Sequence, residues 1–184
     1  LCHIFPPASE FIGELSVADI GIPTAVIDAV ESTLELITPE ECARSLKPRA
    51  ADTHKGTYGR VLIIAGAPGM AGAGALAARG SLRGGSGLVT VGTPDSVSGI
   101  IASLVVEAMV RPHASDGDGR LALAAKVGLL ALAESADVIA VGPGIGTSEE
   151  TQQLVREIVV ESPVPVVLDA DGLNAFAGNP EALR

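Results

Sequence analysis

Cysteine is scarce in this sequence, with only Cys2 and Cys42 among 184 residues. The two show neither a metal-type spacing nor the disulfide framework of an oxidising compartment, so a cytoplasmic setting fits best. Basic residues are also few, because 12 Lys and Arg stand against 22 Asp and Glu and leave a formal net charge of −10. The charge is spread along the chain, so binding to nucleic acid or to an anionic membrane is not expected.

The sequence also lacks an apolar run long enough to cross a bilayer. Its most apolar helix-like segment, 121–133, contains Lys126 and is shorter than the ~20 residues that a transmembrane helix needs, so a buried helix is predicted. The chain begins at Leu1 without methionine, and its first residues do not resemble a signal peptide. We expect it to be a fragment of a longer protein.

Hydrophobic residues, by contrast, make up 47% of the chain, and 22 glycines divide them into short runs. The apolar run 61–65 is followed by glycines at 66, 69, 72 and 74, then by an alanine-rich segment and a second apolar run, 88–91. This order predicts strand, tight loop, helix and strand. Glycines let backbone amides approach a ligand, and the start of a helix favours an anion such as phosphate or pyrophosphate. The spacing matches neither a P-loop nor G-x-G-x-x-G, so a turn that serves only close packing is the alternative.

Two more loops follow predicted strands. The strand 137–141 leads into the glycines of 142–146, after which a capping box at 147–150 opens a helix that continues to residue 161. The buried strand 164–168 leads into the Asp-Ala-Asp-Gly-Leu-Asn segment 169–174. Alternating strands and helices predict an α/β fold with a parallel sheet covered on both faces, and ligands in such sheets bind beyond the carboxyl ends of the strands. All three loops fall at that edge, which predicts a binding site there.

The other elements are predicted as follows. A short strand is expected around Leu15–Ile20, a linker over 23–36, and a helix opened by a capping box at Thr38. Helices are also expected over 71–82, 95–103 and 121–134, and a strand over 105–110. The acidic turn 115–119 lacks the spacing of a calcium-binding EF-hand loop, so a solvated turn is expected.

Five ordered motifs give the sequence a resemblance to a known family. They are His-Lys-Gly-Thr-Tyr-Gly-Arg at 54–60, the glycine loop 66–74, Arg-Gly-Gly-Ser-Gly-Leu-Val-Thr at 83–90, Gly-Pro-Gly-Ile-Gly at 142–146, and the segment 169–174. Together they resemble the NAD(P)H-hydrate dehydratase family, the ribokinase-like half of bifunctional NAD(P)H-hydrate repair enzymes. The resemblance covers about residues 49–184. It implies a three-layer, parallel-sheet sandwich that is incomplete at its C-terminus.

The resemblance also implies a domain organisation and an activity. Residues 1–36 would be the tail of a preceding epimerase-like domain with its linker, and 37–184 the N-terminal half of the dehydratase domain. The activity would be that of a hydro-lyase (EC 4.2.1.136), which uses ADP or ATP, with Mg²⁺, to convert NADHX or NADPHX to NAD(P)H. A homo-oligomer is expected.

The family's site residues carry over onto matching positions. Ala73, Gly74 and Gly144 would contact the hydrated dinucleotide, Gly142 and Gly146 would shape the second loop, and Asn174 would lie at the edge of the site. The family's catalytic aspartate belongs to a late Gly-x-Gly-Asp motif that would lie beyond Arg184. The chain by itself is therefore expected to be inactive, and it would bind poorly if it were the whole protein.

Several residues leave alternatives open. Asp169 and Asp171 would hold Mg²⁺ or orient a phosphate, or else Asp171 caps the next helix while Asp169 accepts loop amides. Lys55 would reach a phosphate or be solvated. His54 and His113 are interpreted as structural. The alternative functions are a ribokinase-like kinase of a small alcohol, such as a hydroxymethylpyrimidine or hydroxyethylthiazole, and a non-catalytic dinucleotide-binding module.

Overall fold

A computed structural model of the chain describes residues 3–30, 36–46 and 48–183. The chain divides into two compact units, 1–51 and 52–184, which are described separately. Cys2, part of the expected linker and Arg184 lie outside the described residues. Cys42 is an exposed free thiol.

Among its described residues, the first unit contains short helices only. They are a 3-10 turn at Ala8–Glu10, α1 at Thr24–Asp28 and α2 at Pro39–Ser45. The capping box of α2 is confirmed, because the Thr38 hydroxyl accepts from the Glu41 amide at 3.3 Å while the Glu41 carboxylate accepts from the Thr38 amide at 2.9 Å. The prediction of a strand around Leu15–Ile20 is wrong. No strand among the described residues pairs with this segment, and Val17 is 93% exposed.

The second unit is built on a five-stranded sheet in which every neighbouring pair is parallel. The strands are β1 Arg60–Ile64, β2 Leu88–Pro94, β3 Met109–His113, β4 Val138–Val141 and β5 Val166–Leu168, in the order β3-β2-β1-β4-β5. The predicted parallel α/β sheet is confirmed. Strand β1 lies at its centre, as an apolar run buried on both faces requires.

Helices cover both faces of this sheet. They are α3 Ala71–Gly84, α4 Asp95–Leu104, α5 Lys126–Ala133, α6 Glu149–Glu161 and the short α7 Asp171–Asn174. Successive residues of β1 point to opposite faces, so Ile63 packs in the core under α3 and α4 while Leu62 and Ile64 pack in the core under α5 and α6. The result is the expected three-layer sandwich. No helix in the described part of the chain is apolar and long enough to cross a membrane.

Two element boundaries and the burial of one strand differ from those predicted. The strand expected over 105–110 forms at Met109–His113, because Val105 ends α4 and donates its amide to Ile101. Helix α5 begins only at Lys126, after a 3-10 turn. Strand β5 was expected to be buried, but it pairs only with β4 among the described strands, and Val167 is 57% exposed.

Candidate functional site

The sheet has a topological switch point between β1 and β4. From β1 the chain steps outward to β2 and β3, and it then returns to the opposite side of β1 with β4. Loops that follow strands at such a point diverge and leave a crevice, which is where open parallel sheets bind ligands. The loops concerned are the first glycine loop, 66–74, and the second glycine loop, 142–146.

These two glycine loops touch each other. The Gly66 amide donates to the Pro143 carbonyl at 3.0 Å. Gly144 has a φ of +60°, and a Cβ there would lie 2.8 Å from the Ala73 Cβ and 3.0 Å from the Met70 carbonyl. The structure therefore brings Ala73 and Gly144 into direct contact, and only glycine permits that approach.

The segment 169–174 joins the same cluster through Asp171. One carboxylate oxygen of Asp171 accepts from the Gly146 amide at 3.0 Å, and the other accepts from the Asn174 side-chain amide at 3.1 Å. Asp171 does not cap α7, whose N-cap residue is Ala170, and it reaches across to the second glycine loop. Ala170, just before it, has a φ of 47°, a conformation that costs a residue with a side chain about 1–3 kcal/mol.

The tight contact at Gly142 completes this cluster. A Cβ at Gly142 would lie 1.9 Å from the Asp169 carbonyl and 2.5 Å from the Gly172 nitrogen, so the second glycine loop lies directly on the backbone that follows β5. Gly142, Gly144 and Gly146 therefore shape the loop through backbone packing, and Asn174 is exposed at its edge. The three loops predicted to converge at one edge of the sheet do so.

The start of α3 is suited to an anion. This helix has 14 residues, and its N-cap residue, Met70, makes no side-chain capping bond. Gly72 in its first turn is exposed, with no atom within 4 Å of a Cβ built there. The amides and the positive dipole end of α3 are thus not occupied by a capping side chain. Helix α6 differs, since the Ser148 hydroxyl caps it by accepting from the Thr151 amide; this cap lies one residue later than predicted.

Gly74 lies deeper than its predicted role in substrate contact suggests. It is buried, and a Cβ there would meet Ile101 Cδ1 at 3.2 Å and Ala65 Cβ at 3.5 Å. Its lack of a side chain therefore lets α3 approach β1 and α4. Ala73, beside it, is half-buried and faces the second glycine loop.

Lys55 lies at the opposite edge of the sheet from the glycine loops, which favours the solvated alternative over a phosphate contact. Its 3-10 turn, Lys55–Tyr58, precedes β1, and the Leu88 amide at the start of β2 donates to the adjacent Gly59 carbonyl at 3.0 Å. The five residues of β1 separate this edge from the glycine loops by about 16 Å. The exposed Lys55 ammonium is therefore solvated.

Sequence reasoning missed a fourth component, the turn 115–120. The Gly119 carbonyl accepts from the Ser96 hydroxyl at 2.5 Å, and the Ser148 hydroxyl donates to an Asp116 carboxylate oxygen at 3.4 Å. Arg120 lies across the second glycine loop, with its Cδ 3.1 Å and its Nε 3.3 Å from the position of a Cβ on Gly146. The sequence did carry a signal for this turn, because the turn follows β3 and therefore falls at the carboxyl edge of the sheet.

The described residues do not form a metal site of their own. No group of three His, Cys, Asp or Glu side chains suited to a metal occurs in the described ranges. Both carboxylate oxygens of Asp171 accept protein hydrogen bonds, which leaves Asp169 as the exposed carboxylate of the pair. Any Mg²⁺ here would therefore need ligands in addition to the Asp169 carboxylate.

The two histidines interpreted as structural both contact other residues of the chain. The His54 Nδ1 accepts from the Gly56 amide at 3.1 Å. The His113 ring lies between Gly92 and Gly128, where a Cβ on Gly128 would come within 2.9 Å of the ring. Its Nε2 has no partner among the described residues, and burial lowers the pKa of the imidazole.

Comparisons with known proteins agree with this architecture. The sequence model of the NAD(P)H-hydrate dehydratase family matches residues 61–184. The bifunctional NAD(P)H-hydrate repair enzyme of Moorella thermoacetica is 39% identical over 98% of this chain, and that of Salinibacter ruber is 37% identical over 93%. The matches cover 34% and 32% of those proteins, so the chain spans about a third of the length of the curated relatives it matches.

Solved structures give the same result. The ADP/ATP-dependent NAD(P)H-hydrate dehydratase of Bacillus subtilis, co-crystallised with ATP/Mg²⁺, is 33% identical with a TM-score of 0.56, over 74% of this chain and 46% of that one. A ribokinase-like superfamily protein of Enterococcus faecalis is 24% identical, with a TM-score of 0.64 over 80% of this chain and 51% of that one, and it shows the fold alone. These matches do not favour the small-alcohol kinase or the non-catalytic module. The converging loops, the parallel sheet and the matched sequence model together show that this chain belongs to the NAD(P)H-hydrate dehydratase family.

Proposed function

We propose that this chain supplies the dinucleotide-binding part of an ADP- or ATP-dependent NAD(P)H-hydrate dehydratase, a hydro-lyase that converts NADHX or NADPHX to NAD(P)H. The observation that carries the proposal is the contact between Ala73 and Gly144 beside the start of α3, at the switch point of the sheet. Exposed amides at a helix N-terminus bind a pyrophosphate, the group common to both substrates.

The reaction implied by the family phosphorylates the hydroxyl at C6 of the hydrated nicotinamide, and phosphate then leaves. The residues of this chain would bind and orient the substrate rather than transfer protons. The first turn of α3 would hold the pyrophosphate, and the paired backbones at Ala73 and Gly144 would form one wall for the dinucleotide. Asp171 would keep the second glycine loop in place through Gly146.

Magnesium would accompany the nucleotide co-substrate. In phosphoryl-transfer sites Mg²⁺ is bound by one or two carboxylates and the substrate phosphates. The exposed Asp169 is the carboxylate free to contribute, and no step of the mechanism depends on it here.

Further expectations accompany this proposal. Residues 1–36 would be the tail of an epimerase-like domain with its linker, and 37–184 the first half of the dehydratase domain, which agrees with the match of almost the whole chain to bifunctional repair enzymes. We also propose that the protein works in the cytoplasm as a homo-oligomer. Size-exclusion chromatography with light scattering would test the oligomeric state.

The activity is tested on the chain expressed together with the coding sequence that flanks it in its gene. Incubation with NADHX and ADP, or with ATP, is expected to restore absorbance at 340 nm. No recovery with either nucleotide would contradict the proposal. A kinase of small alcohols would instead accumulate the phosphorylated alcohol. Equilibrium dialysis of the chain itself against NADPHX tests the binding role independently of catalysis.

A further inference from the structure

Arg120 is held at the junction of the two glycine loops by a turn that is anchored on three sides. The Arg120 amide donates to an Asp116 carboxylate oxygen at 2.8 Å, and its carbonyl accepts from the Asp116 amide at 2.7 Å. The turn is closed by a bridge between Ser115 and Leu121. Ser96 and Ser148 tie it to the starts of α4 and α6. The position of the Arg120 backbone is therefore fixed before any ligand binds.

The Arg120 side chain lies against Gly146, on the second glycine loop. A Cβ on Gly146 would be crowded both by the Arg120 Cδ and Nε, at 3.1 and 3.3 Å, and by Met70 Cε at 3.9 Å. Met70 is the N-cap residue of α3, so the Arg120 side chain and the side chain of this N-cap residue both lie against Gly146.

The present partner of Arg120 is easily exchanged. Its Nη1 lies 3.1 Å from a carboxylate oxygen of Asp118, and the two side chains are 35% and 74% exposed. Such exposed ion pairs contribute little, because water screens them and both side chains lose rotamer freedom. A phosphate group offers the planar guanidinium two parallel hydrogen bonds, and the pyrophosphate as a whole carries a greater negative charge than the Asp118 carboxylate. In a protein with a net charge of −10, a cation at this point would also offset the general repulsion of a dinucleotide.

We propose that Arg120 binds the pyrophosphate of the hydrated dinucleotide, leaving Asp118 when the ligand enters. The inference rests on the proposed function, since it assigns a further binding residue to the same site. Arg120 acts on the ligand's charge and does not take part in proton transfer.

The test measures dissociation constants by equilibrium dialysis with NADHX and with NADPHX. Arg120→Met keeps the aliphatic stem across Gly146 and removes the charge. We expect it to weaken both ligands about ten- to a hundredfold, as loss of a charged hydrogen-bonding group does. Arg120→Lys should recover part of the affinity. In Arg120→Met, the affinity should also fall less steeply as the salt concentration rises.

Asp118→Asn is the matched control, because it breaks the ion pair and leaves Arg120 in place. It should bind both dinucleotides as tightly as the wild type or more tightly, and this readout stands even if Arg120→Met does not fold. Unchanged affinity in Arg120→Met, a loss confined to NADPHX, or an equal loss in Asp118→Asn would overturn the inference. A wild-type chain that binds neither dinucleotide would instead refute the binding role itself.

Discussion

The Gly146 amide donates a hydrogen bond of 3.0 Å to a carboxylate oxygen of Asp171, and this bond joins the loop after β4 to the segment after β5. Gly146 is buried, and removing the carboxylate would take away the partner of its amide. The shape of the second glycine loop therefore depends on a side chain from another strand end.

Asp171→Ala is expected to lower the free energy of unfolding by about 1–3 kcal/mol, because it leaves the buried amide unpaired. Urea denaturation followed by circular dichroism measures the change. Asn174→Ala removes only the exposed bond to the second oxygen of Asp171 and is the control, with a change within about 0.5 kcal/mol. Equal effects of the two substitutions would contradict the role of Asp171 in holding the second glycine loop.

Gly144→Ala should damage both stability and binding. The new Cβ would lie 2.8 Å from that of Ala73, at a φ of +60° that disfavours a side chain. We expect a loss of about 1–3 kcal/mol in the free energy of unfolding, the usual cost of overpacking. Denaturation and dialysis against NADPHX measure the two effects, and a variant as stable as the wild type would show that the loops separate more easily than their contact implies.

Gly72→Ala should weaken ligand binding without lowering the stability of the chain. No atom lies within 4 Å of a Cβ at Gly72 or at Gly80 in the same helix, and alanine favours a helix interior over glycine by about 0.5–1 kcal/mol. Neither substitution should therefore destabilise the chain. Only Gly72→Ala, in the first turn of α3, should weaken NADPHX binding, by about tenfold or more. If the two variants bind alike, the start of α3 is not the pyrophosphate site.

Two buried threonines form a matched pair for testing hydrogen bonding in the core. Both are fully buried, but the Thr151 hydroxyl donates to the Leu121 carbonyl at 3.0 Å, whereas the Thr93 hydroxyl has no partner among the described residues. Thr93→Val should raise the free energy of unfolding by about 1 kcal/mol, and Thr151→Val should lower it by about the same amount. A destabilised Thr93→Val would indicate a water or ligand bonded to that hydroxyl.

The stability of the second unit should fall in mild acid because of His113. Burial lowers the pKa of this imidazole below its ordinary value of 6.5, so the folded state binds fewer protons than the unfolded state. The contribution of neutral His113 to the free energy of unfolding is then fully present above about pH 6.5, and it is lost as the pH falls below that value. Urea denaturation at about pH 7.5 and pH 5.5 should show a smaller loss for His113→Asn than for the wild type. Equal losses would exclude His113 as the cause.

The central strands and three of the loops could be predicted from the sequence because local patterns determine them. Apolar runs bounded by glycine mark β1 and β2, and strand ends in a parallel sheet must meet at one edge. The start of β3 could not be predicted in this way. Val105 looks like part of a strand, but it is fully buried as the residue that ends α4, so its apolar character serves helix packing.

The role of Arg120 was hidden for a different reason. Its proximity to Gly146 depends on a turn whose shape is set by Ser96 and Ser148, which belong to other elements. Lys55 shows the reverse case, since its sequence position before β1 already placed it at the edge away from the loops. Contacts between distant segments decide the position of Arg120, whereas the local order of turn and strand decides that of Lys55.

The pairing of β1 with β4 has a thermodynamic consequence. The two walls of the crevice come from strands widely separated in sequence, so the crevice exists only while the sheet is intact. A dinucleotide that binds there has no comparable affinity for the unfolded chain, and mass action then raises the melting temperature. A thermal-shift screen of nucleotides would thus rank ligands for this chain without any need for turnover.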